Sequence, residues 1–143
     1  MKLSEINPIR LVAWVYAIMF FFIAFMGAIP GLTNASGQLF GLFTLDFYDN
    51  ALHFASGLWA AIAGWVSTRA AIFYFRVFGI LYGLDGIIGL IFGQSYLDGG
   101  IFLFGSTPLN FWTRLAANLP HILIGGIAVW VGFGWSRKWT ADV

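Results

Sequence analysis

Four apolar stretches, at about residues 11–29, 48–67, 72–93 and 114–135, constrain this chain more than anything else in it. Each holds about 19–22 residues, or about 28–33 Å as helix, close to the ~30 Å hydrocarbon core of a bilayer. Hydrophobic residues make up 60% of the sequence and charged ones 9%, against about 25% charged in soluble domains. So few charges cannot cover a water-exposed surface. The expected fold class is therefore all-α: an integral membrane four-helix bundle, with residues 1–143 as a single transmembrane domain. The first stretch is too long and continuous for a signal-peptide core, and Pro30-Gly31 supplies a helix stop, so it is read as a retained span. The net charge of +1 is scattered, which gives no footprint for nucleic acid. Cysteine is absent, which excludes disulfides, thiolate metal sites and cysteine nucleophiles.

The cations set an orientation. Lys2, Arg10, Arg69, Arg76, Arg137 and Lys138 fall at the N-terminus, the turn between stretches two and three, or the C-terminus; Arg114 alone falls on the other side. The positive-inside rule then places both termini in the cytoplasm and the chain in the cell membrane. Asp46, Asp49 and Asp98 face outward on this topology. Trp14, Trp65, Trp135 and Trp139 mark the inner boundary, and Tyr48, Tyr96 and Trp112 the outer one, as interfacial anchors. The turn between stretches two and three is short enough to make them antiparallel neighbours. The outer connections, of about 16–20 residues, are apolar enough to lie in the interface or fold back over the bundle.

The pattern Asn-x-x-His-x-x-x-Gly occurs twice, as Asn50, His53, Gly57 and as Asn118, His121, Gly125, and it contains both histidines of the chain. The duplication extends outward. Leu39-Phe40-Gly41 and Leu45-Asp46-Phe47-Tyr48 align with Leu103-Phe104-Gly105 and Leu109-Asn110-Phe111-Trp112 at an offset of 64, which becomes 68 at the histidines. Upstream, Gly27 to Gly31 resembles Gly89 to Gly93 at an offset of 62. Two tandem helix-loop-helix repeats, about 10–67 and 72–135, are expected, related by a pseudo-twofold axis along the membrane normal. That symmetry puts His53 and His121 at one depth.

Residues i, i+3 and i+7 share a helix face, so each Asn/His/Gly set forms a stripe on which the glycine admits a neighbouring helix or a flat ligand. Pro120 removes a backbone hydrogen bond beside His121. Asp85 is the only acid well inside a stretch; Tyr82 lies one turn before it, and Gly79, Gly83, Gly86, Gly89 and Gly93 make that helix a small-residue packing surface. A cluster of His53, His121, Asp85 and Tyr82 in the outer half of the bundle is expected. Several uses are open to it. The residues can hydrogen-bond helices together and fix register. The histidines can ligate haem b from both sides, with Arg114 at a propionate. His53, His121 and Asp85 can hold a divalent metal. The same groups can handle protons. Neither a nucleophile elbow nor a glycosidase-like acid pair is present. A small non-enzymatic membrane subunit or scaffold of unknown activity is therefore expected, with the lipid bilayer and a homo-oligomer or larger membrane complex as partners. The rival is a haem- or metal-binding protein of electron or proton transfer.

The residues Gly27-Ala28-Ile29-Pro30-Gly31-Leu32-Thr33, Asn50-Ala51-Leu52-His53 with Gly57, and Asn118-Leu119-Pro120-His121 with Gly125 resemble the bacterial four-helix membrane family catalogued as domain of unknown function four-three-eight-three. Tyr82-Gly83 fits the same pattern, and the resemblance spans about residues 10–135. Pro120 and the longer run before Asn118 depart from it. The resemblance implies the fold, the membrane location and the importance of the histidine positions, and no reaction.

Overall fold

A computed structural model describes residues 6–41, 43–44 and 46–140. Lys2, one of the terminal cations, and Leu45, one of the repeat positions, fall outside them. Helix takes up 73% of the chain. α1 (Pro8–Met26) starts three residues before the apolar stretch does, because Pro8 suits the first turn and the Asn7 side chain accepts from Ile9 N. It also stops at Met26, ahead of Pro30. α2 (Phe47–Val66) opens on a reciprocal cap in which Asp46 accepts from Asp49 N and Asp49 from Asp46 N. Ser67 is the whole turn to α3 (Thr68–Phe92): extended itself, it ends one helix and caps the next by accepting from Ala70 N. Gly93 ends α3 at φ 76°, a left-handed position that glycine takes without strain.

The two long connections carry structure of their own. The first folds into a small antiparallel hairpin, β1 (Gln38–Leu39) with β2 (Phe43–Thr44), that turns through positive φ at Phe40 and Gly41 and buries Leu39. The second contains the short helix α4 (Gly100–Phe104). α5 (Phe111–Val129), capped by Asn110, runs on through Pro120. It then loosens into a π turn (Trp130–Gly134) and a 3₁₀ turn (Trp135–Lys138).

α1 packs along α2, and α3 along α5. Glycines bring the backbones together. A Cβ on Gly57 would stand 3.2 Å from Ala17 O and Phe20 Cβ of α1; one on Gly125 would collide with the Gly83 backbone and lie 2.9 Å from Gly79 O of α3. Side-chain bonds to backbone carbonyls fasten each pair near the chain termini. Arg10 Nε donates to Gly64 O and Arg76 Nε to Gly132 O, both at 2.7 Å. Gly132 O also accepts from the Ser136 hydroxyl at 2.7 Å, as fits a carbonyl in a π turn. An aromatic core built from Tyr16, Phe20, Tyr74, Phe75, Phe78 and Tyr82, with many edge-to-face contacts, fills the centre.

Three helical runs, Pro8–Met26, Thr68–Phe92 and Phe111–Lys138, are long and apolar enough to cross a membrane. α2 is long enough at 20 residues, but Asp49, Asn50 and His53 dilute its first two turns.

The glycine contacts predict an asymmetry between neighbours. Gly125→Ala should lower stability by roughly 1–3 kcal/mol through overpacking. Gly126→Ala, where an added Cβ meets nothing within 4 Å, should leave it unchanged or raise it by up to about 1 kcal/mol. Thermal unfolding of the detergent-purified variants checks both.

Candidate functional site

The site lies where α2, α3 and α5 meet at the end of the bundle that carries the long connections. Asp85 is fully buried (0% exposed). Its Oδ1 accepts from the backbone N–H groups of Tyr96 at 2.9 Å and Leu97 at 2.8 Å, and its Oδ2 lies 2.8 Å from His121 Nδ1. A carboxylate in an apolar core is tolerable only when its lone pairs are taken up, and here three donors do so. Two of them come from the connection after α3, and the third comes from α5. A proton on His121 Nδ1 completes that bond, whichever role the other ring nitrogen takes.

His53 enters from α2 and is 6% exposed. Its ring centre lies 6.2 Å from that of His121, edge toward face, and 6.0 Å from Phe20, stacked. Its Nδ1 is buried without a partner, as is Asn50 Oδ1 three residues earlier on the same face. Tyr82 flanks His121 with centroids 5.0 Å apart. Tyr82 Oη has no hydrogen-bond partner of good geometry. The geometry thus brings His53, His121, Asp85 and Tyr82 together.

Other expected members take different parts. Asn118 is 5% exposed; its Nδ2 donates to Arg114 O at 2.8 Å, and its Oδ1 accepts from the Ser95 hydroxyl at 3.3 Å while pressing on Gly89. Gly57 and Gly125 meet helices, not a ligand. Arg114 does not reach the cluster: its Nε donates to Leu109 O and its Nη1 to Ile91 O, so it caps the end of α3. The three-ligand metal set of His53, His121 and Asp85 is not assembled. Asp85 is occupied by its donors, and among the described residues no group of three or more His, Cys, Asp or Glu has the geometry to hold a metal. Ser95, Tyr96 and Leu97 are the participants that the sequence did not announce. Two act through backbone N–H groups, which carry no side-chain signature.

Two cavities adjoin the histidines. One of about 520 Å³ lies under the connections and is of mixed character, with Asp46, Asp49, Asp98, Gln94 and Asn118 as well as Phe43, Leu103 and Phe104 on its walls and His53 and His121 in its lining. The second, about 190 Å³, is apolar; it lies between α1 and α5 and also touches both histidines.

Removing the acid should be expensive. Asp85→Ala strands three donors and should cost more than about 3 kcal/mol. Asp85→Asn keeps one acceptor oxygen and should cost less. Amide hydrogen exchange at Tyr96 and Leu97 should accelerate in both variants relative to wild type, most in the alanine one.

Neither the curated proteins nor the solved structures offer a match to this chain. The sequence profile of the family described as Domain of unknown function (DUF4383) matches residues 10–133, and the chain belongs to that family.

Proposed function

We propose that the protein is a multi-pass scaffold or subunit of the cell membrane, without catalytic activity, in which α1, α2, α3 and α5 cross the bilayer and both termini lie in the cytoplasm. The observation that carries this reading is the Asp85 cluster. A buried carboxylate bonded to a helix and to a connecting turn organises a bundle, and each of its oxygens is already engaged. α2, with its weaker hydropathy, crosses beside α1, its polar first turns facing the 520 Å³ cavity beneath the connections. The surface supports the membrane location: Phe22, Trp65, Phe73 and Trp130 stand exposed on the long helices, a face suited to lipid.

The bundle is, on the same reading, a duplicated hairpin. Several pairs of structural features support it. Gly31 and Gly93 both take positive φ after a helix, as do Gly41 and Gly105 within the connections. Asp46 and Asn110 are both N-caps. Gly57 and Gly125 both receive the preceding long helix. Arg10 and Arg76, an offset of 66, make the same 2.7 Å bond to Gly64 O and Gly132 O. Shared low-complexity composition does not produce matched bonds.

The absence of cysteine gives a clean background for testing the topology. With a membrane-impermeant maleimide on intact cells, Ser36→Cys should react, while Thr68→Cys and Thr140→Cys should react only after permeabilisation. Labelling of Thr68→Cys from outside would show that α2 does not cross. The scaffold role predicts a colourless purified protein whose thermal stability falls in His53→Ala and His121→Ala. A Soret band that those substitutions abolish would replace it with haem ligation.

A further inference from the structure

α4 is the least anchored element of the fold, and the acid just before it meets a second acid. The roots of the second connection are fixed. Gln94 Nε2 donates to the Thr107 hydroxyl, Tyr96 N and Leu97 N donate to Asp85, and the Ser106 hydroxyl and Thr107 N donate to Phe92 O. Between those roots α4 packs along none of the long helices. Its backbone bonds run within the connection, as from Ile101 N to Ser95 O and from Gly105 N to Ile101 O. Gly99 at φ 82° and Gly105 at φ 68° bracket it, and an added Cβ at either meets nothing within 4 Å. Left-handed glycines in open space at both ends of a short element have the freedom a hinge needs. Leu103 and Phe104 of this element form part of the wall of the 520 Å³ cavity.

What holds α4 toward α2 is a pair of carboxyls. Asp49, in the first turn of α2, and Asp98, just before Gly99, hydrogen-bond through their side chains. Each also accepts a backbone N–H, Asp49 from Asp46 and Asp98 from Gly100. Two carboxylates offer only acceptors, so they bond one another only with a proton between them, whichever of the two carries it. We propose that α4 is a proton-operated flap over the outer cavity: the Asp49–Asp98 bond closes it while the pair holds a proton, and repulsion between the two carboxylates opens it when that proton is lost.

The surroundings favour such a switch. The titratable groups that line the cavity are Asp46, Tyr48, Asp49, His53, Asp98 and His121, and among the described residues no lysine or arginine lines it. Asp46 is near enough to act on the pair as a further negative charge, while Asp85, on the far side of His121, is engaged by its own donors. With no cation at hand, loss of the shared proton leaves two like charges in contact. The chemical step is complete in the release of that one proton to water. Two carboxyls sharing a site keep one proton above the range in which a lone carboxylic acid loses it, so opening falls toward neutral and alkaline pH. That the flap senses the exterior rests on the proposed topology; its closing and opening do not.

Spin labels on Phe47→Cys in α2 and Phe102→Cys in α4, both strongly exposed positions in a chain without cysteine, report the distance across the flap. Pulsed electron paramagnetic resonance on the detergent-purified full chain should show one short distance at about pH 5 and a second, longer and dominant population at about pH 9. Protonation of His53 or His121 would also draw the acids inward at low pH, and two further variants separate that cause from the carboxyl pair. Asp98→Asn and Asp49→Asn each supply an amide N–H that bonds the remaining carboxylate without a shared proton. Either one, in the labelled background, should keep the short distance at both pH values, and a failure of one to fold leaves the other. A labelled chain with both acids intact whose distance does not change with pH would overturn the proposal. So would a pH response that survives in either asparagine variant. Neither result bears on the membrane topology or on the structural role of Asp85.

Discussion

The structure turns on one carboxylate. Asp85 has no exposure to water, and an ion in such a place carries a desolvation penalty of several kcal/mol unless its lone pairs are filled. The donors that fill them lie far from it along the chain, at positions 96, 97 and 121. The polypeptide must therefore bend back at Gly93 and lay residues 95–97 over α3, and it must present α5 with His121 turned inward. Once α5 is rotated that way, Gly125, one helical turn further on, meets Gly83, and Asn118 meets Gly89. The close backbone approach of α3 and α5 and the fixed histidine are two results of a single electrostatic requirement.

The two hairpins share a plan but differ at this point. With Arg10 and Tyr16 set against Arg76 and Tyr82, Met19 falls where Asp85 stands. The first hairpin has a thioether packed against the core in that place and no acid with which to orient its histidine. His53 Nδ1 is accordingly left without a partner while His121 is held. A pair that begins as equivalent positions thus ends as one oriented imidazole and one free one.

Much of the fold was legible because its determinants are local. Runs of apolar residues announce long helices, whereas their ends are set by the caps at Asp46, Ser67, Gly93 and Asn110, which the apolar runs do not mark. The Asn/His/Gly recurrence located the cluster, and spacing placed Tyr82 one turn before Asp85. What stayed hidden depends on who meets whom. Arg114 reads as a cation for a haem propionate, but it is spent on Leu109 O and Ile91 O. Asp85 reads as a metal ligand until backbone N–H groups are found to occupy it. Gly57 and Gly125 read equally as ligand floors or packing faces, and only the partner helix decides. The Arg-to-glycine-carbonyl bonds were missed because one partner of each is backbone, although Arg-x₅-Tyr recurs at 10–16 and 76–82 for anyone aligning on it.

The distribution of fastenings also decides where the molecule can yield. At the end bearing the termini, Arg10 and Arg76 tie each hairpin to itself, and Ser67 links the two covalently in one residue. At the other end Asp85 ties the second connection to α3 and α5. Among the described residues the seam between α1 and α5 is crossed by the Tyr16 hydroxyl bond to Ile124 O at 2.8 Å, at the level of the aromatic core. A bundle held at its base, latched on one side and bridged once on the other opens most easily between α1 and α5 above Tyr16. The apolar cavity lies there, walled by Phe20 and Ile23 of α1 and by Pro120 and Ile124 of α5.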